Sequence, residues 1–172
     1  MKNEKMQQCL VIIKPDGLVK SLTGNIITAL SESKLKIVGA KVVKVSKELA
    51  EKHYDELKQK KPHIYGGTIN YITGKFHTDR VFVLVYQGEN AIERIREICG
   101  ETNPESANPS SIRGKYGRIH SKTGVFENVI HASDSEQNAE KEIKLWFSPQ
   151  ELTETIYLAQ KVKSEVERSV WK

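Results

Sequence analysis

A single histidine stands at the end of a β-like run and directly before a possible helix start, in the segment NVIHASDS. Val129 and Ile130 favour a strand, while Ser133 followed three residues later by Glu136 has capping-box spacing, which predicts that a helix begins there. The N-terminus of a helix carries partial positive charge on its free N–H groups. The sequence therefore predicts that His131 lies beside a site for an anion.

The helix that follows carries a carboxylate on its apolar side. Ala139, Ile143 and Trp146 repeat at helical spacing, and Glu142 falls on the same side, where a carboxylate without a partner is costly. The expected partner is His131. A carboxylate bonded to one ring nitrogen fixes the tautomer and leaves the other nitrogen with a lone pair. The pattern indicates a nucleophilic histidine, although a lone histidine at a strand end is more often an ordinary polar residue.

Length and composition are typical of one globular domain. The chain has 172 residues, enough for a compact core, and no Pro/Gly/Ser-rich stretch divides it. We therefore expect a single domain over residues 1–172, with a C-terminal tail at 163–172. The 27 Lys+Arg and 22 Asp+Glu residues give a net charge of +5, which favours anionic ligands such as nucleotides or nucleic acid.

The two cysteines and the first apolar run indicate the cellular compartment of the protein. Cys9 and Cys99 lie within apolar patterns, and no His, Cys or carboxylate cluster of the sequence has metal-ligand spacing. This predicts buried free thiols in a reducing compartment. The run Cys9 to Ile13 is too short for a signal or membrane segment. We expect a cytoplasmic protein that is not bound to a membrane.

Hydrophobic periodicity predicts the elements that must position these residues. The predicted strands are Cys9 to Ile13, Leu35 to Val45, Val81 to Tyr86 and Phe126 to Ile130. The predicted helices are Asn25 to Ser33, a helix capped by Ser46 that runs through Leu57, a short one through Ile69 to Ile72, Ala91 to Cys99, and a last one over Thr153 to Val162. This order predicts an α+β fold of the ferredoxin-like βαββαβ type, with a four-stranded antiparallel sheet and helices packed on one face.

Four short motifs, taken in order, are similar to those of the nucleoside diphosphate kinase family. They are Lys14-Pro15-Asp16-Gly17, Gly100-Glu101-Thr102-Asn103-Pro104, Ile112-Arg113-Gly114 and Asn128 to Ser135. Each motif alone is weak evidence, because Lys-Pro-Asp-Gly is also a common turn sequence. Their order is specific, and the resemblance extends from about Gln8 to about Leu152.

The resemblance implies transfer of the γ-phosphate of a nucleoside triphosphate to a nucleoside diphosphate, with broad base specificity. The family's mechanism is ping-pong, which here implies a phosphohistidine on His131. Glu142 would orient the imidazole, and Ser133 would form a hydrogen bond with Glu142. Such a reaction depends chiefly on positioning and on cations aimed at the phosphate oxygens.

The resemblance also implies a set of nucleotide-binding residues. Lys14 matches a lysine near the ribose and the terminal phosphate, Asn128 an asparagine on the 3′ hydroxyl, and Tyr54 a tyrosine near the phosphorylation site. Arg96, Thr102 and Arg113 match positions that contact phosphate oxygens, which suits the paired donors of a guanidinium. Val125 matches the valine beside the base, and the stacking residue opposite is one of His63, Ile64 and Tyr65.

Further expectations concern cofactors and assembly. The resemblance implies Mg²⁺ bridging the phosphate oxygens and arriving with the nucleotide, without metal ligands from side chains. ATP and other nucleoside tri- and diphosphates are the expected partners. Family members form hexamers or tetramers built from dimers, so a homo-oligomer is expected, with the 102–113 region and the tail as contacts.

Two segments are longer here than in the short members of the family. They are Thr73 to Arg80 and Arg113 to Asn128. The second contains the sequence RIHSKTGVF, which predicts a small β-hairpin beside the nucleotide.

A nucleic-acid-binding module of ferredoxin-like fold is the alternative from another functional class. RNA-recognition domains share the βαββαβ order, and this chain is basic. Such modules present aromatic side chains on their central strands, whereas Leu10, Ile12, Val83 and Val85 offer none. The sequence therefore favours the kinase.

Overall fold

A four-stranded antiparallel sheet forms the centre of the molecule in a computed structural model that describes residues 5–163. Its strands are β1 (Met6–Ile13), β2 (Lys36–Lys44), β3 (Arg80–Glu89) and β6 (Ile130–Ala132), in the order β2-β3-β1-β6. A separate ribbon pairs β4 (Arg118–Ile119) with β5 (Phe126–Glu127). The predicted α+β fold of ferredoxin-like type is confirmed.

Eight helices accompany the sheet in this part of the chain. They are α1 (Pro15–Val19), α2 (Thr23–Ser31), α3 (Lys47–His53), α4 (Asp55–Lys60), α5 (Pro62–Ile72), α6 (Ala91–Cys99), α7 (Ile112–Tyr116) and α8 (Glu136–Trp146). The predicted cap of α3 is confirmed, because the Ser46 side chain accepts a hydrogen bond from the Leu49 N–H. None of the helices within residues 5–163 is long and apolar enough to cross a membrane.

Apolar side chains are buried on both faces of the sheet. On one face, Val11 and Ile13 of β1 belong to a cluster that includes residues of α2 and α6. On the other, Leu10 and Ile12 belong to a cluster with residues of α3, α5 and α8. The expectation of helices on one face was wrong, because the continuously apolar β1 must bury both of its faces. Both faces of its central strands are therefore covered.

The fourth strand lies later in the chain than its β-branched residues predict. Phe126 and Glu127 belong to the ribbon, and the central sheet is joined only from Ile130 onwards. Val129 between them has φ of +56°, a left-handed conformation that strains a β-branched residue and interrupts a strand. The Ile130 N–H closes a tight turn on the Asn128 carbonyl oxygen at 2.7 Å. This turn sets the direction from which His131 enters the sheet.

The Lys-Pro-Asp-Gly motif holds that strained turn. Asp16 is fully buried, accepts a hydrogen bond from the Val129 N–H at 3.2 Å, and accepts another from the Tyr71 hydroxyl. The Lys14 N–H donates to the Val129 carbonyl oxygen at 2.8 Å. A Cβ on Gly17 would lie 2.9 Å from Ile13 Cγ2 and 3.1 Å from that same oxygen, so the absence of a side chain allows this close approach. The motif therefore positions the segment that carries His131.

The last predicted helix, Thr153 to Val162, was wrong. Its start signal produces only a 3₁₀ turn over Pro149–Glu151, in which the Ser148 N–H donates to Glu151 Oε2 at 2.8 Å. The chain then runs without regular structure to residue 163, and the Thr153 N–H donates to the Val38 carbonyl oxygen of β2 at 2.8 Å. This tertiary bond outweighs a local preference that β-branched residues already weaken. Most of the expected tail, residues 164–172, lies outside the described residues.

Candidate active site

A cavity of about 470 Å³ lies beside β6, where the predicted site residues converge. Its wall includes side chains from the end of β1, from α5 and α6, and from the ribbon. Among the lining residues are Lys14, Tyr54, His63, Ile64, Arg96, Thr102, Arg113, Val125, Asn128 and His131. Residues far apart in the sequence thus meet around one space, and most of those that could contact a phosphate are basic.

His131 and Glu142 form the pair that the sequence predicts. The Nε2 atom of His131 lies 2.9 Å from Oε1 of Glu142, whose other oxygen accepts a hydrogen bond of 2.5 Å from the Ser133 hydroxyl. Ser133 is fully buried, and its N–H donates to the Leu10 carbonyl oxygen at 3.0 Å. Glu142 is thereby held from two sides. With Nε2 engaged, Nδ1 is the ring nitrogen left with an available lone pair.

The expected capping role of Ser133 was wrong. Helix α8 begins at Glu136, and Ser135 caps it by accepting the Asn138 N–H at 3.2 Å. The Ser133 oxygen accepts the Leu10 N–H at 3.1 Å while its hydrogen is donated to Glu142, so the next available serine takes the cap. Helix α8 therefore begins where it brings Glu142, two turns further on, opposite His131.

Glu142 is ionised despite its burial. Burial alone would raise its pKa, but the attraction of His131 and the hydrogen bonds from His131 and Ser133 outweigh that effect, with a further contribution from His53. The pKa of Glu142 falls to about 2. The carboxylate thus keeps its full negative charge beside the imidazole at neutral pH.

His53 is a member of this site that the sequence analysis missed. Its ring lies 4.7 Å from the His131 ring, centroid to centroid, at an interplanar angle of 82°. The Trp146 indole N–H donates to His53 Nδ1 at 3.2 Å, so the proton of the neutral ring sits on Nε2. Burial lowers the pKa of His53 to about 3, with a smaller contribution from His131. No sequence spacing predicts that His53 lies beside His131, because His53 is simply the last residue of α3.

The ligand atoms of His53, His131 and Glu142 lie within 4.8 Å of one another, a distance that suits a metal ion. The hydrogen bonds argue against this use. His53 Nε2 carries a proton, and the Nε2 atom of His131 is directed at Glu142, so these nitrogens do not offer converging lone pairs. The cluster orients an imidazole better than it would hold a cation.

Lys14 stands at the end of β1 with its ammonium in the cavity. Its Nζ donates to Asn128 Oδ1 at 2.8 Å. Burial lowers the pKa of Lys14, the nearby Arg113 adds to this effect and Asp16 partly opposes it, so that the pKa falls to about 8. Lys14 is thus a cation whose cost of burial an anionic ligand would relieve.

Arg113 is buried and held by carbonyl oxygens. Nη1 donates to the Gly100 carbonyl oxygen at 2.7 Å, and Nη2 donates to that of Ile130 at 3.1 Å. Burial lowers the pKa of Arg113, but a guanidinium keeps its charge in proteins. The same region is fixed by Asn128, whose Nδ2 donates to the Thr102 carbonyl oxygen at 2.7 Å. These bonds preorganise a cation at the floor of the cavity.

Tyr54 contributes a hydroxyl that is buried and has no hydrogen-bond partner within residues 5–163. Burial raises its pKa, so the phenol stays protonated and able to donate. An unpaired buried hydroxyl is costly, and a ligand oxygen would satisfy it. Tyr54 lines the cavity, as does Arg96, so both are placed to contact a bound anion.

We call the part of the cavity wall that His63, Ile64, Val125 and Phe126 form its outer end, and most of these side chains are apolar. His63 and Ile64 of α5 line it, whereas Tyr65 packs against the core cluster that contains Trp146. On the opposite side stands the predicted hairpin, formed by β4 and β5, and Val125 lines the cavity from it. A Cβ on Gly67 would lie 3.2 Å from Val125 Cγ2, so α5 and the hairpin approach closely. Of the three candidate stacking residues, His63 and Ile64 line the cavity and Tyr65 does not.

Comparisons with known proteins agree with this geometry. A family model described as nucleoside diphosphate kinase matches residues 7–152. The chain is 45% identical to the nucleoside diphosphate kinase of Staphylococcus carnosus over 148 residues, which is 86% of this chain and 91% of that protein. It is 44% identical to that of Pyrococcus furiosus over 150 residues, 87% and 88% of the two chains.

Solved structures give the same result. The nucleoside diphosphate kinase of Borrelia burgdorferi, a transition-state mimic with bound vanadate and ADP, is similar with a TM-score of 0.77 at 34% identity, over 91% of this chain and 92% of that one. The halophilic enzyme from Halobacterium salinarum in complex with CDP has a TM-score of 0.76 at 35% identity, over 89% and 95%.

Proposed function

The chain belongs to the nucleoside diphosphate kinase family and transfers phosphate between nucleotides, and we propose that His131 carries the phosphoryl group between the two substrates. The observation that carries this proposal is the bond from Nε2 to Glu142, which leaves the Nδ1 lone pair beside a cavity lined by cations. Nδ1 would attack the γ-phosphorus of a nucleoside triphosphate. A nitrogen–phosphorus bond forms, the bond to the bridging oxygen breaks, and the diphosphate leaves.

The second half of the reaction reverses the first with another nucleotide. An oxygen of the incoming diphosphate attacks the phosphorus, and His131 regains its lone pair, which makes the mechanism ping-pong. The imidazole becomes more cationic while it holds the phosphoryl group. Glu142, kept in place by Ser133, stabilises that charge through the Nε2–H and acts as the orienting group.

The remaining polar side chains of the cavity divide between phosphate and ribose. We assign Arg96, Thr102 and Arg113 to the phosphate oxygens, because guanidinium groups and a hydroxyl fit these acceptors. Lys14 and Asn128 are already joined to each other, and a sugar hydroxyl and a terminal phosphate would bind beside them. The unpaired Tyr54 hydroxyl would donate near the phosphate that is transferred.

Mg²⁺ would enter with the nucleotide. Asp134 is the one carboxylate among the described residues that line the cavity, which is too few for a protein cage around this ion. The donor set therefore fits a cation held by the phosphates themselves. Bound in this way, Mg²⁺ would neutralise charge on the transferred group.

Base specificity should be broad. The groups assigned above address phosphate and ribose, and the outer end of the cavity offers Ile64 and Val125, which contact any flat base. The solved structures of relatives hold ADP in one case and CDP in another, which supports this reading. A nucleic-acid-binding role is not favoured, because both faces of the central strands are buried.

Assembly and location are also proposals. We propose a single domain that forms a homo-oligomer, a hexamer or a tetramer of dimers, and light scattering of the purified protein would distinguish these sizes. The edge strand β2 supports it by exposing Ile37 and Val42. The buried free thiols Cys9 and Cys99 support a reducing cytoplasm.

Labelling with γ-labelled ATP tests the central proposal. The labelled protein should lose its phosphate in acid and keep it in base, as a phosphohistidine does. His131→Ala should remove the label. The matched control His120→Ala changes a hairpin residue that is not itself among the lining residues, and it should keep the label at saturating ATP. Label retained on folded His131→Ala would contradict the mechanism.

A further inference from the structure

Two loops beside the cavity meet at one buried carboxylate. We call residues 73–79 and 117–127 together the rim. The side chain of Glu127 is 1% exposed, and its two oxygens have partners in different parts of the rim. Oε1 lies 2.7 Å from His77 Nε2, and Oε2 accepts a hydrogen bond of 2.6 Å from Arg118 Nε. The carboxylate therefore joins two segments that are far apart in the sequence.

At this junction the ionised carboxylate of Glu127 is buried. Burial by itself would raise the pKa of Glu127, but the hydrogen bonds from Arg118 and His77 outweigh it and lower the pKa. Charge-assisted hydrogen bonds to both oxygens are strong and directional. Loss of one partner would leave a buried charge incompletely paired, so each partner holds its own loop in place.

Both sides of the junction lead directly to the nucleotide cavity. Val125 and Phe126, which precede Glu127, line its outer end. On the other side, the His77 ring packs edge-on against Tyr71, with centroids 6.3 Å apart. Tyr71 also lines the cavity. A movement of the rim would thus shift the apolar wall without moving His131 in the central sheet.

We propose that Glu127 is a positioning residue for the nucleoside part of the substrate, which it serves by locking His77 and Arg118 together at the rim. The proposal rests on the function proposed above, since it assigns the outer end of the cavity to the base. The carboxylate of Glu127 bonds to His77 and Arg118, and Glu127 is not among the residues that line the cavity. Its removal should weaken nucleotide binding and leave the chemical step nearly intact.

A purely electrostatic role for Glu127 predicts the opposite change in nucleotide affinity for Glu127→Gln. If Glu127 acted only as a negative charge near an anion, Glu127→Gln would tighten nucleotide binding and Arg118→Gln would weaken it. The lock predicts that both variants weaken binding, although they change the net charge in opposite directions. His77→Asn, which removes the third member, should do the same.

The test compares these variants in the full chain. The KM for ADP should rise about three- to tenfold in each, because a charge-assisted hydrogen bond is lost, while kcat stays within about twofold. The double variant Glu127→Gln/Arg118→Gln should be little worse than either single variant, since the two residues act as one unit. The control Glu48→Gln removes an exposed carboxylate that pairs with Lys52 and should change neither constant.

Calorimetric titration with ADP gives the same comparison without turnover. Failure of the wild-type protein to transfer phosphate would contradict the proposed function, whereas an unchanged Kd for ADP across the variants would contradict the lock. A lower KM in Glu127→Gln, or a loss of kcat at unchanged KM, would also overturn it. Should Glu127→Gln not fold, the more exposed partners His77 and Arg118 decide the question through the same two measurements.

Discussion

Replacing Glu142 by glutamine tests whether its charge takes part in the reaction. The fold lowers the pKa of Glu142 from 4.5 to about 2. At about 1.4 kcal/mol per pKa unit, its surroundings favour the ionised form by about 3 kcal/mol. Among the groups that favour it, His131 contributes most. In the proposed mechanism the imidazole becomes cationic as it binds phosphorus, so a large part of this attraction should act in the transition state.

We therefore expect Glu142→Gln to lower kcat by about tenfold to a hundredfold, which corresponds to about 1.4 to 2.7 kcal/mol. The KM for nucleotides should change little, because Glu142 lies behind His131 and does not line the cavity. Glutamine keeps the size and one acceptor oxygen, so the fold should survive.

Rapid mixing with γ-labelled ATP followed by an alkaline quench measures the labelling rate of His131 directly. The control is Glu140→Gln, which removes an exposed carboxylate of the same helix that pairs with Lys144. A control at the wild-type rate beside a slow Glu142→Gln would support the role. Labelling and turnover of Glu142→Gln at the wild-type rate would refute it.

Three further predictions address binding and stability. Because the pKa of Lys14 is lowered to about 8, its ammonium group loses its charge above that pH, and kcat/KM should fall as pH rises through about 8. The charge of Lys14→Arg persists, so this fall should be absent from the pH profile of that variant. Gly17→Ala should lower the free energy of unfolding by about 1 to 3 kcal/mol, because its Cβ would crowd Ile13 Cγ2 at 2.9 Å and the Val129 carbonyl oxygen at 3.1 Å. In the same urea titration Gly24→Ala, whose Cβ would have nothing within 4 Å, should be neutral or stabilising. ADP, GDP, CDP and UDP should be accepted within about a hundredfold in kcat/KM, and rejection of one base by more than about a thousandfold would reveal a specific hydrogen bond to it.

Local signals were sufficient for much of the fold. The apolar run of β1, the Ser46 cap and the helical spacing in α6 each predicted an element that the structure contains. They succeeded because burial and capping act within a few residues of the signal. The pairing of Glu142 with His131 was also predictable, since a carboxylate on an apolar helix face must have a partner.

Other errors came from contacts that no local pattern contains. Ser133 and Ser135 are equally good caps by sequence, and the hydrogen bonds of Ser133 with Leu10 and Glu142 decide between them. Similarly, the start signal before Pro149 is real, but the bond from Thr153 to β2 diverts the chain from a helix. In both cases a tertiary hydrogen bond competed with a local one and won.

The residues that were missed in the site share one property. His53 and Glu127 are polar residues that look like surface positions in the sequence, and each contacts partners in the structure that are distant in the sequence. Trp146 fixes the tautomer of His53, and His77 with Arg118 keeps Glu127 ionised. The sequence does not show which distant residues contact His53 and Glu127, although those contacts determine the tautomer of one and the ionisation of the other. Most buried polar groups are hydrogen-bonded, so the partner has to be found in space before the role of such a residue can be assigned.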